Sequence, residues 1–384
     1  MKNIENGGTN SNVKSGSRTD SAVDFGHVSV KKVNSMARPL IEWFLGCQRK
    51  HLPWRKTKDP YRIWISELML QQTRVEQAIP YYRRFLKAFP TLPRLAMANQ
   101  SAVLKVWEGL GYYRRAKYAH EAARIVLKDY RGKLPNNYDD LRALPGFGPY
   151  TAAAVMSIAY GKPYAALDGN ASRVLSRLFI LQEDPTTADA KRRRTEILQG
   201  MMRGSDPSTF TQALIELGAL LCSPRSPRCS ECPIQESCSA FRYLPDPAVL
   251  PIRKERKKKP HYNVSAGILE RDGRILLKKR PNTGLLANFW EFPGGKQLAN
   301  RSREETCRIR FKSETGIEIR ITDKICVVKH EFTHFRITVH FYTVACQKSP
   351  SPKGTARWIR KGSLKRLPFN LVSKAGLEAY ERKK

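Results

Sequence analysis

The 384-residue chain is predicted to form a mainly α-helical domain followed by a smaller α/β domain, and three observations support this division. From Asn34 to about Tyr243, apolar residues recur at three- and four-residue spacing, as on the buried faces of helices. Pro245–Pro260 then encloses a run of basic residues between prolines, which is typical of a linker. Beyond it, the apolar segments are short and rich in β-branched and aromatic residues, which indicates strands.

The predicted elements follow in chain order. Residues 1–33 are rich in Gly, Ser and Asn, so we expect a disordered tail. Residues 34–244 are expected to form helices punctuated by Pro and Gly, with the clearest patterns at Ala37–Arg49, Ile63–Phe89, Ser101–Trp107 and Arg115–Tyr130. Residues 245–261 form the predicted linker. Residues 262–384 form the α/β domain, with strand patterns at Tyr262–Glu270, Ile275–Lys279, Lys324–His330 and Phe335–Ala345.

The charge balance predicts a polyanionic partner. Lys and Arg number 69 against 34 Asp and Glu, a formal net charge of +35, which suits nucleic acid but also a membrane surface or ribosomal RNA. No apolar run reaches the length of a membrane-spanning helix, and the N-terminus lacks the apolar core of a signal peptide. The eight cysteines do not suggest a secreted disulfide framework. We therefore expect a monomeric, cytoplasmic protein associated with the nucleoid.

Four cysteines, Cys222, Cys229, Cys232 and Cys238, lie within seventeen residues at the spacing C-x6-C-x2-C-x5-C. A zinc site with four thiolates usually has two C-x2-C pairs separated by a longer insert, and only one such pair is present here. The longer gaps suit an iron–sulfur cluster better, although zinc and unligated core cysteines stay open as alternatives. Arg225 and Arg228 lie inside the first cysteine loop, so we expect both side chains to contact DNA phosphates.

A second motif is the segment Leu144–Ala152, which reads L-P-G-F-G-P-Y-T-A. A Gly-x-Gly turn formed by Gly146 and Gly148 between two helical segments leaves backbone N–H groups unpaired at a helix N-terminus. A phosphate oxygen can accept hydrogen bonds from such groups, so the turn is a candidate DNA contact. The alternative is a tight helix-to-helix turn without a ligand.

Two carboxylates are candidates for acid and base work. Glu67 lies in a nearly apolar helical stretch, where burial should raise its pKa and make it a general acid. Asp168 precedes the helical run Ser172–Leu178, where a helix N-terminus should keep its carboxylate ionised. Two carboxylates with pKa values pushed apart suit oxocarbenium chemistry. The alternatives are a helix carboxylate satisfied by a neighbouring helix and an ordinary helix N-cap.

The cysteine spacing, the L-P-G-x-G turn and the segment Leu167–Asn170 (L-D-G-N), in that combination, resemble the endonuclease III superfamily of helix-hairpin-helix DNA glycosylases. That resemblance implies a [4Fe–4S] cluster on the four cysteines. In members that also cut the strand, the residue after G-x-G-x is a lysine, which forms an imine with the sugar. This chain has Tyr150 there, so the resemblance implies a monofunctional hydrolase. The alternative is that Tyr150 merely packs at a helix start.

Within that superfamily, Ser66–Thr73 (S-E-L-M-L-Q-Q-T), Gly109–Tyr113 (G-L-G-Y-Y) and the G-P-Y-T after Phe147 resemble adenine DNA glycosylases of the MutY type. These enzymes remove adenine mispaired with 8-oxoguanine in double-stranded DNA. The resemblance implies that Glu67 protonates the adenine, and that Asp168 stabilises the cation with support from Tyr150 and Asn170. It implies contacts with the lesion step for Gln71, Gln72, Thr73, Leu110 and Tyr112. A stacked side chain would fill the hole left by a flipped base; the alternative for Gly109–Tyr113 is a helix-connecting turn with two core tyrosines.

The segments Gly284–Gly295 and Glu314–Ile317 resemble a Nudix fold of the MutT kind. Aligned on Gly295 and Gly316, three of the four positions of the catalytic Nudix motif that carry acidic side chains are lost, and only Glu314 remains. One carboxylate cannot build the Mg²⁺ site that such hydrolysis needs. The resemblance implies that the domain recognises 8-oxoguanine through a Phe-Ser-His turn, represented here by Phe332, Thr333 and His334. For His334, an ordinary turn at a strand edge is the alternative.

Three rival functions remain at this stage. An endonuclease III-type glycosylase and lyase for oxidised pyrimidines is disfavoured by Tyr150 and by the additional domain. A nucleotide pyrophosphohydrolase is disfavoured by the lost Nudix carboxylates. A non-enzymatic redox or DNA-sensing protein would use the cluster and the basic surface but would leave Glu67 and Asp168 without a role. The predicted reaction is therefore hydrolysis of the adenine N-glycosidic bond opposite 8-oxoguanine or guanine.

Overall fold

A computed structural model describes residues 35–47, 49, 51–252, 258–347 and 351–383. The predicted tail lies outside these residues, as does most of the basic run of the predicted linker. The predicted domain boundaries therefore stay predictions. Within the described ranges, no helix has both the length and the apolar character needed to cross a membrane.

The first part of the chain is helical, as the apolar spacing predicts. Its helices are α1 (Ala37–Cys47), α2 (Pro60–Leu70), α3 (Val75–Ala88), α4 (Leu92–Ala96), α5 (Gln100–Trp107), α6 (Arg114–Asp129), α7 (Tyr138–Ala143), α8 (Pro149–Ile158), α9 (Gly169–Leu178), α10 (Ala188–Met201), α11 (Pro207–Leu220) and α12 (Ser239–Tyr243). Short 3₁₀ helices lie in the same part of the chain at Pro53–Lys56, Cys229–Glu231 and Pro247–Val249, and another lies in the second part at Lys361–Arg366.

These helices form two lobes with separate apolar cores. One core is built from residues between Leu52 and Ala166 together with Phe289, and it contains the fully buried Trp64 and Trp107. The other combines α1 with residues from Ala165 to Ile234, so the N-terminal helix packs against the later half of the helical part. The chain crosses between the lobes at residues 165–168, and side chains from both lobes therefore meet there.

One predicted helix is wrong in its extent. The apolar pattern predicts a continuous helix over Ile63–Phe89, but the structure has two helices, α2 and α3, with Gln72 between them at a φ of 56°. The guanidinium of Arg115, on α6, donates to the backbone oxygens of Leu68, Met69 and Gln71. Because these carbonyls at the end of α2 have a partner outside the helix, the helix can end without leaving them unsatisfied.

The second part is a seven-stranded mixed sheet between two helices. Its elements are β1 (His261–Arg271), β2 (Arg274–Lys279), β3 (Trp290–Glu291), β4 (Gly294–Lys296), α13 (Arg303–Thr315), β5 (Arg320–Glu331), β6 (Arg336–Ala345), β7 (Ala356–Arg360) and α14 (Leu371–Lys383). The strand order is β3-β2-β1-β6-β5, with β4 paired to β1 and β7 to β2. Only the β1–β6 pair is parallel among the named strands.

Each face of the sheet has its own core, because apolar side chains alternate along the central strands. Phe311 of α13 packs with Leu269 and Tyr342 on one face. Residues of α14 pack with Ile268 and Phe341 on the other face. The four predicted strands are confirmed, whereas β3, β4 and β7 are too short to show a pattern in the sequence.

Candidate active site

Glu67 lies on the second turn of α2, a helix that starts at Pro60 with the Asp59 side chain accepting from the backbone N–H of Tyr61. Only 7% of Glu67 is exposed. Burial raises the pKa of Glu67 above its usual value, while the hydroxyl of Tyr150 and the charge of Arg55 oppose that rise. The direction predicted from the apolar surroundings of Glu67 is confirmed.

Tyr150 reaches Glu67 from the first turn of α8. Its hydroxyl donates to Glu67 Oε2 at 2.6 Å, and burial raises the pKa of Tyr150 well above its usual value, so the phenol keeps its proton. Gly148 is the N-cap of α8, and Pro149 is its first residue. The preceding turn is packed against α2, because the Phe147 ring stacks on Trp64 with centroids 5.0 Å apart. This stacking fixes Tyr150 relative to Glu67.

Asp168 caps α9, as expected, and receives hydrogen bonds from the backbone N–H of Ala171 at 2.7 Å and from the side-chain amide of Asn170 at 2.9 Å. The prediction that the pKa values of the two carboxyl groups move in opposite directions is wrong. Burial raises the pKa of Asp168 as well, and the hydrogen bonds and Arg173 only partly offset it. The helix N-terminus favours the carboxylate form, but desolvation of this partly buried group is the larger effect.

Asn170 is held by tight helix packing. Arg173 donates to Asn170 Oδ1 at 2.9 Å and to the carbonyl of Gly218 on α11 at 2.7 Å. A Cβ atom at position 218 would lie 2.6 Å from the Asn170 Cβ, so glycine is needed there for the close approach of α9 and α11. Neither Arg173 nor Gly218 stands out in the sequence, because their role depends on a contact across more than forty residues.

The four candidate catalytic residues come together at the junction of the lobes. Glu67 and Tyr150 lie in the first lobe, and Asp168 and Asn170 begin α9 of the second lobe. The negative charge of Asp168 raises the pKa of Glu67, which shows that the two groups are within electrostatic reach. A partly buried basic residue that the sequence did not reveal, Arg55, lowers the pKa of Glu67 by its charge and forms an ion pair of 3.0 Å with Glu216 of α11.

The predicted lesion-contacting segments lie side by side. Gln71, Gln72 and Thr73 occupy the break between α2 and α3, and Gly109–Tyr113 joins α5 to α6. Arg115 ties the two together, because one guanidinium nitrogen donates to Thr73 Oγ1 at 3.2 Å and to the Gly111 carbonyl at 3.1 Å. Gln71 donates to Thr151 of α8 at 3.0 Å.

The two candidate stacking residues of the Gly109–Tyr113 turn differ in exposure. Leu110 is only 4% exposed and belongs to the apolar core of the first lobe. Tyr112 is 44% exposed and has a φ of 48°. The turn therefore offers Tyr112 to a ligand, and the contact predicted for Leu110 stays a prediction.

The helix-hairpin-helix turn lies between α7 and α8, as predicted. Gly146 has a φ of 81°, and a Cβ there would lie 2.8 Å from the Cβ of Tyr118. The backbone N–H of Phe147 donates to the Leu144 carbonyl, and that of Gly148 donates to the Gly146 carbonyl. The prediction that the turn leaves its N–H groups unpaired is therefore wrong for these two groups.

The four cysteines line a single cavity together with apolar side chains of the second lobe, including Val174, Leu178 and Ile234. Among the described residues, no group of three or more His, Cys, Asp or Glu side chains is arranged to hold a single metal ion. Burial raises the pKa of Cys232 to about 12 and also raises the pKa values of Cys229 and Cys238. A positively charged metal group would offset this cost by binding the thiolates. Four thiols around one enclosed space fit an iron–sulfur cluster.

The loop between the first two cysteines is fixed by Arg177, whose guanidinium donates to Cys222 Sγ at 3.3 Å and to the carbonyls of Ser223 and Pro224. Arg225 and Arg228 are exposed on its surface. Arg228 also donates to the Leu220 carbonyl and to Glu231, so part of its hydrogen-bonding capacity is used within the protein. Arg177 is a second functional candidate that the sequence analysis missed.

Glu314, the acidic residue that remains in the Nudix-like motif, is bonded to other residues of the sheet domain. Glu314, on α13, forms a short ion pair with Lys278, and its other oxygen accepts from the backbone N–H of Gly294 at 3.0 Å. Lys278 also pairs with Glu291 at 3.2 Å. Arg301, at the position of the motif's first glutamate, is exposed.

Phe332, Thr333 and His334 form the tip of the β5–β6 hairpin. The backbone N–H of Phe332 donates to the Phe335 carbonyl at 2.8 Å, and their rings lie 4.8 Å apart. The His330 ring packs edge-on against Phe332 at 4.6 Å. These contacts hold the tip, and Thr333 and His334 are exposed at its end.

Comparison with known proteins agrees with this arrangement. Residues 65–199 match the family model described as the HhH-GPD superfamily base excision DNA repair protein. Residues 222–238 match the iron-sulfur binding domain of endonuclease III, and residues 264–379 match the NUDIX domain. The cysteine loop is therefore an iron–sulfur site, and the expected [4Fe–4S] cluster and fold class are confirmed.

Two of the similar proteins have the same name. The chain is 30% identical to a protein of Rattus norvegicus named adenine DNA glycosylase, over 92% of this chain and 79% of the relative. It is 35% identical to an adenine DNA glycosylase of Buchnera aphidicola, over 66% of this chain and 72% of the relative. A solved structure of a thermostable thymine-DNA glycosylase superimposes with a TM-score of 0.51 at 30% identity, covering 55% of this chain and 97% of that one.

Proposed function

The chain belongs to the adenine DNA glycosylase family, and from this premise we propose that it removes adenine paired with 8-oxoguanine, or with guanine, in double-stranded DNA. The proposed reaction is hydrolysis of the N-glycosidic bond without strand cleavage. The observation that carries the proposal is the buried Glu67, within hydrogen-bond reach of Tyr150 and electrostatic reach of Asp168.

In the proposed first step, Glu67 donates its proton to N7 of a flipped adenine. The C1′–N9 bond then breaks, and its electron pair leaves with the base. The raised pKa of Glu67 supports this role, because a carboxyl group that keeps its proton nearer to neutral pH is the better acid.

The sugar left behind carries positive charge, which we assign Asp168 to stabilise. Its carboxylate accepts hydrogen bonds from Ala171 and Asn170, whereas Glu67 accepts one from Tyr150. Donors directed at an oxygen favour the ionised form, so Asp168 is the better counter-ion of the two even though burial raises both pKa values. Water then adds to C1′, and its proton restores Glu67.

Strand cleavage by imine formation requires an amine at the sugar, and Tyr150 offers a phenol. Its hydroxyl donates to Glu67, so we propose that Tyr150 supports the carboxylates and does not attack C1′. Cys222, Cys229, Cys232 and Cys238 would hold the cluster, which would restrain the loop that carries Arg225 in addition to the contacts from Arg177.

On the opposite strand, we propose that Thr333 and His334 hydrogen-bond to 8-oxoguanine, and that Gln72 and Tyr112 contact the step from which the adenine is flipped. All four are exposed side chains on tight turns, so they can contact DNA without unfolding their surroundings. We also propose that the protein acts as a monomer in the cytoplasm, at the nucleoid.

The test is single-turnover cleavage of matched duplexes containing 8-oxoguanine:A, G:A or an oxidised pyrimidine, with and without borohydride. We expect adenine release from the first two duplexes, fastest from 8-oxoguanine:A, and no covalent enzyme–DNA adduct. Release of oxidised pyrimidines with an adduct would instead identify an endonuclease III-type glycosylase and lyase. Tyr150→Lys is the matched variant, because it introduces an amine at the position that is lysine in the strand-cutting members of the superfamily.

A further inference from the structure

The Gly109–Tyr113 turn has contacts with the sheet domain at its C-terminal end. Phe289, in the loop after β2, is fully buried and belongs to the apolar core of the first helical lobe. Its ring lies 4.3 Å from the ring of Tyr113, the last residue of the turn. Nearby, Asn288 donates to Gln100 at 2.8 Å.

The residue before the turn is also bound to the sheet domain. Glu108 is 7% exposed, and its carboxylate pairs with Lys374 of α14 at 3.2 Å. Its other oxygen accepts from Lys105 at 2.6 Å, and Lys105 in turn donates to the Leu367 carbonyl at 3.0 Å. Lys374 is thus one of two cations that hold the buried Glu108 carboxylate in place, each through a different oxygen.

Between these two points the backbone has a narrowly defined shape. Gly109 has a φ of 98°, and the hydroxyl of Tyr81 occupies the space where a Cβ would lie. The Gly109 N–H donates to the Tyr113 hydroxyl at 3.3 Å, so moving Tyr113 would also move the start of the turn. Tyr112, the exposed side chain of the turn, lies next to Tyr113.

We propose that Phe289 and Lys374 are positioning residues, through which the sheet domain sets the conformation of the Gly109–Tyr113 turn and hence the placement of Tyr112 in DNA. This deepens the proposed function and rests on it for the contact of Tyr112 with the flipped-base step. It gives the sheet domain a second task besides recognition of 8-oxoguanine. That task should matter equally for 8-oxoguanine:A and G:A, because the hole left by the adenine is the same in both.

The central variant is Phe289→Ala in the full chain, assayed by single-turnover excision. A base–aromatic stack accounts for roughly ten- to a hundredfold in binding, so we expect both duplexes to be cleaved about tenfold more slowly, by the same factor. Phe289→Leu should recover most of the rate. The matched control is Phe311→Ala, which truncates a fully buried phenylalanine of α13 in the same domain, and it should change neither rate.

A double-mutant cycle separates positioning from general destabilisation. In a Tyr112→Ala background, Phe289→Ala should have less than about a twofold further effect, because Phe289 acts through Tyr112. Multiplying effects would overturn the proposal, as would a loss confined to 8-oxoguanine:A. If Phe289→Ala does not fold, Lys374→Ala takes its place; Lys374 is half-exposed, and its variant is expected to show the same equal loss.

A second readout does not depend on excision. A 2-aminopurine placed next to the mispair brightens when its neighbour leaves the stack, so the fluorescence of bound duplex reports how Tyr112 fills the gap. Phe289→Ala should shift this signal towards that of Tyr112→Ala, and an unchanged signal would overturn the proposal. If the native protein releases no adenine, the proposed function fails, while this measurement still decides whether Phe289 positions Tyr112.

Discussion

The helical part and the sheet domain each retain a glutamate from a motif associated with catalysis, and the two glutamates have opposite surroundings. Glu67 is almost fully buried and accepts from the phenol of Tyr150. Glu314 is paired with Lys278 and accepts from the backbone of Gly294. A carboxyl group that must deliver a proton needs surroundings that favour its protonated form, and burial raises the pKa of Glu67 in that direction. A carboxylate paired with an ammonium group instead joins two elements of the fold.

In the sheet domain, the remaining glutamate of the Nudix-like motif makes contacts within the fold. Glu314 keeps β2 and α13 together through Lys278, which also pairs with Glu291 of β3. The hairpin tip on the same sheet offers Thr333 and His334 to solvent, supported by aromatic packing below. The proposed catalytic residues and the proposed recognition tip therefore lie on different elements, so we expect substitutions at the tip to change lesion preference more than excision.

The largest expected effect tests the comparison directly. Glu67→Gln keeps the shape of the side chain and removes the transferable proton, so single-turnover excision should fall by about a thousandfold or more while duplex binding persists. Glu314→Gln is the matched control, since it makes the same change in the other domain, and its excision rate should stay within about twofold. Comparable losses in the two variants would show that the surroundings of these glutamates do not distinguish their roles.

A second prediction separates recognition from chemistry. Thr333→Ala combined with His334→Ala removes one or two hydrogen bonds, worth about 1–3 kcal/mol. The preference for 8-oxoguanine:A over G:A should therefore shrink by roughly ten- to a hundredfold, with the G:A rate nearly unchanged. Competition between the two duplexes measures this ratio. A proportional loss on both duplexes would indicate that the substitutions impair excision in general. An unchanged preference would show that the hairpin tip does not recognise 8-oxoguanine.

The sequence is sufficient to predict the placement of those residues whose proposed roles depend on their neighbours in the chain. Glu67 is surrounded by apolar residues of its own helix, Asp168 precedes a helix start, and Tyr150 occupies a position fixed by the Gly-x-Gly turn. The rise in the pKa of Asp168 could not be predicted, because its main cause is burial in the folded structure, which the neighbouring sequence does not specify.

Other features depend on contacts between distant segments. The break at Gln72 is stabilised by Arg115, more than forty residues later, and the sequence pattern of α2 continues through it. The place of Phe289 in the helical core is equally invisible, since it lies in a loop of the other domain. Local periodicity contains no information on such pairs, so these residues could be found only in the folded structure.

A third prediction asks whether the helical part supplies the general affinity for DNA. Arg225→Ala should weaken binding to every duplex alike and reduce the slope of log affinity against log salt by about one, since one phosphate contact is lost. Arg228→Ala should have a smaller effect, because Arg228 is already bonded to Leu220 and Glu231. Arg192→Ala, an exposed arginine paired with Asp189 on α10, is the control. Sequence-dependent losses would contradict a phosphate contact.

The smallest effect follows from the cost of keeping Glu67 buried. Its pKa is raised in the folded protein above the usual 4.5, mainly by burial, so the folded state holds this proton more tightly than the unfolded chain does. The stabilisation from the bound proton is complete below pH 4.5 and is lost as the pH rises through the folded-state pKa.

Gln at this position is neutral throughout and still accepts from Tyr150. The Tm of Glu67→Gln should therefore match that of the native protein near pH 4 and exceed it increasingly towards neutral pH, with about 2–4 °C for every ~1 kcal/mol. Glu314→Gln should lower Tm at neutral pH, because Lys278 loses one of its two carboxylate partners. A Tm for Glu67→Gln that falls below the native value at neutral pH would mean that the ionised carboxylate stabilises the fold, and the contrast between the two glutamates would then be lost.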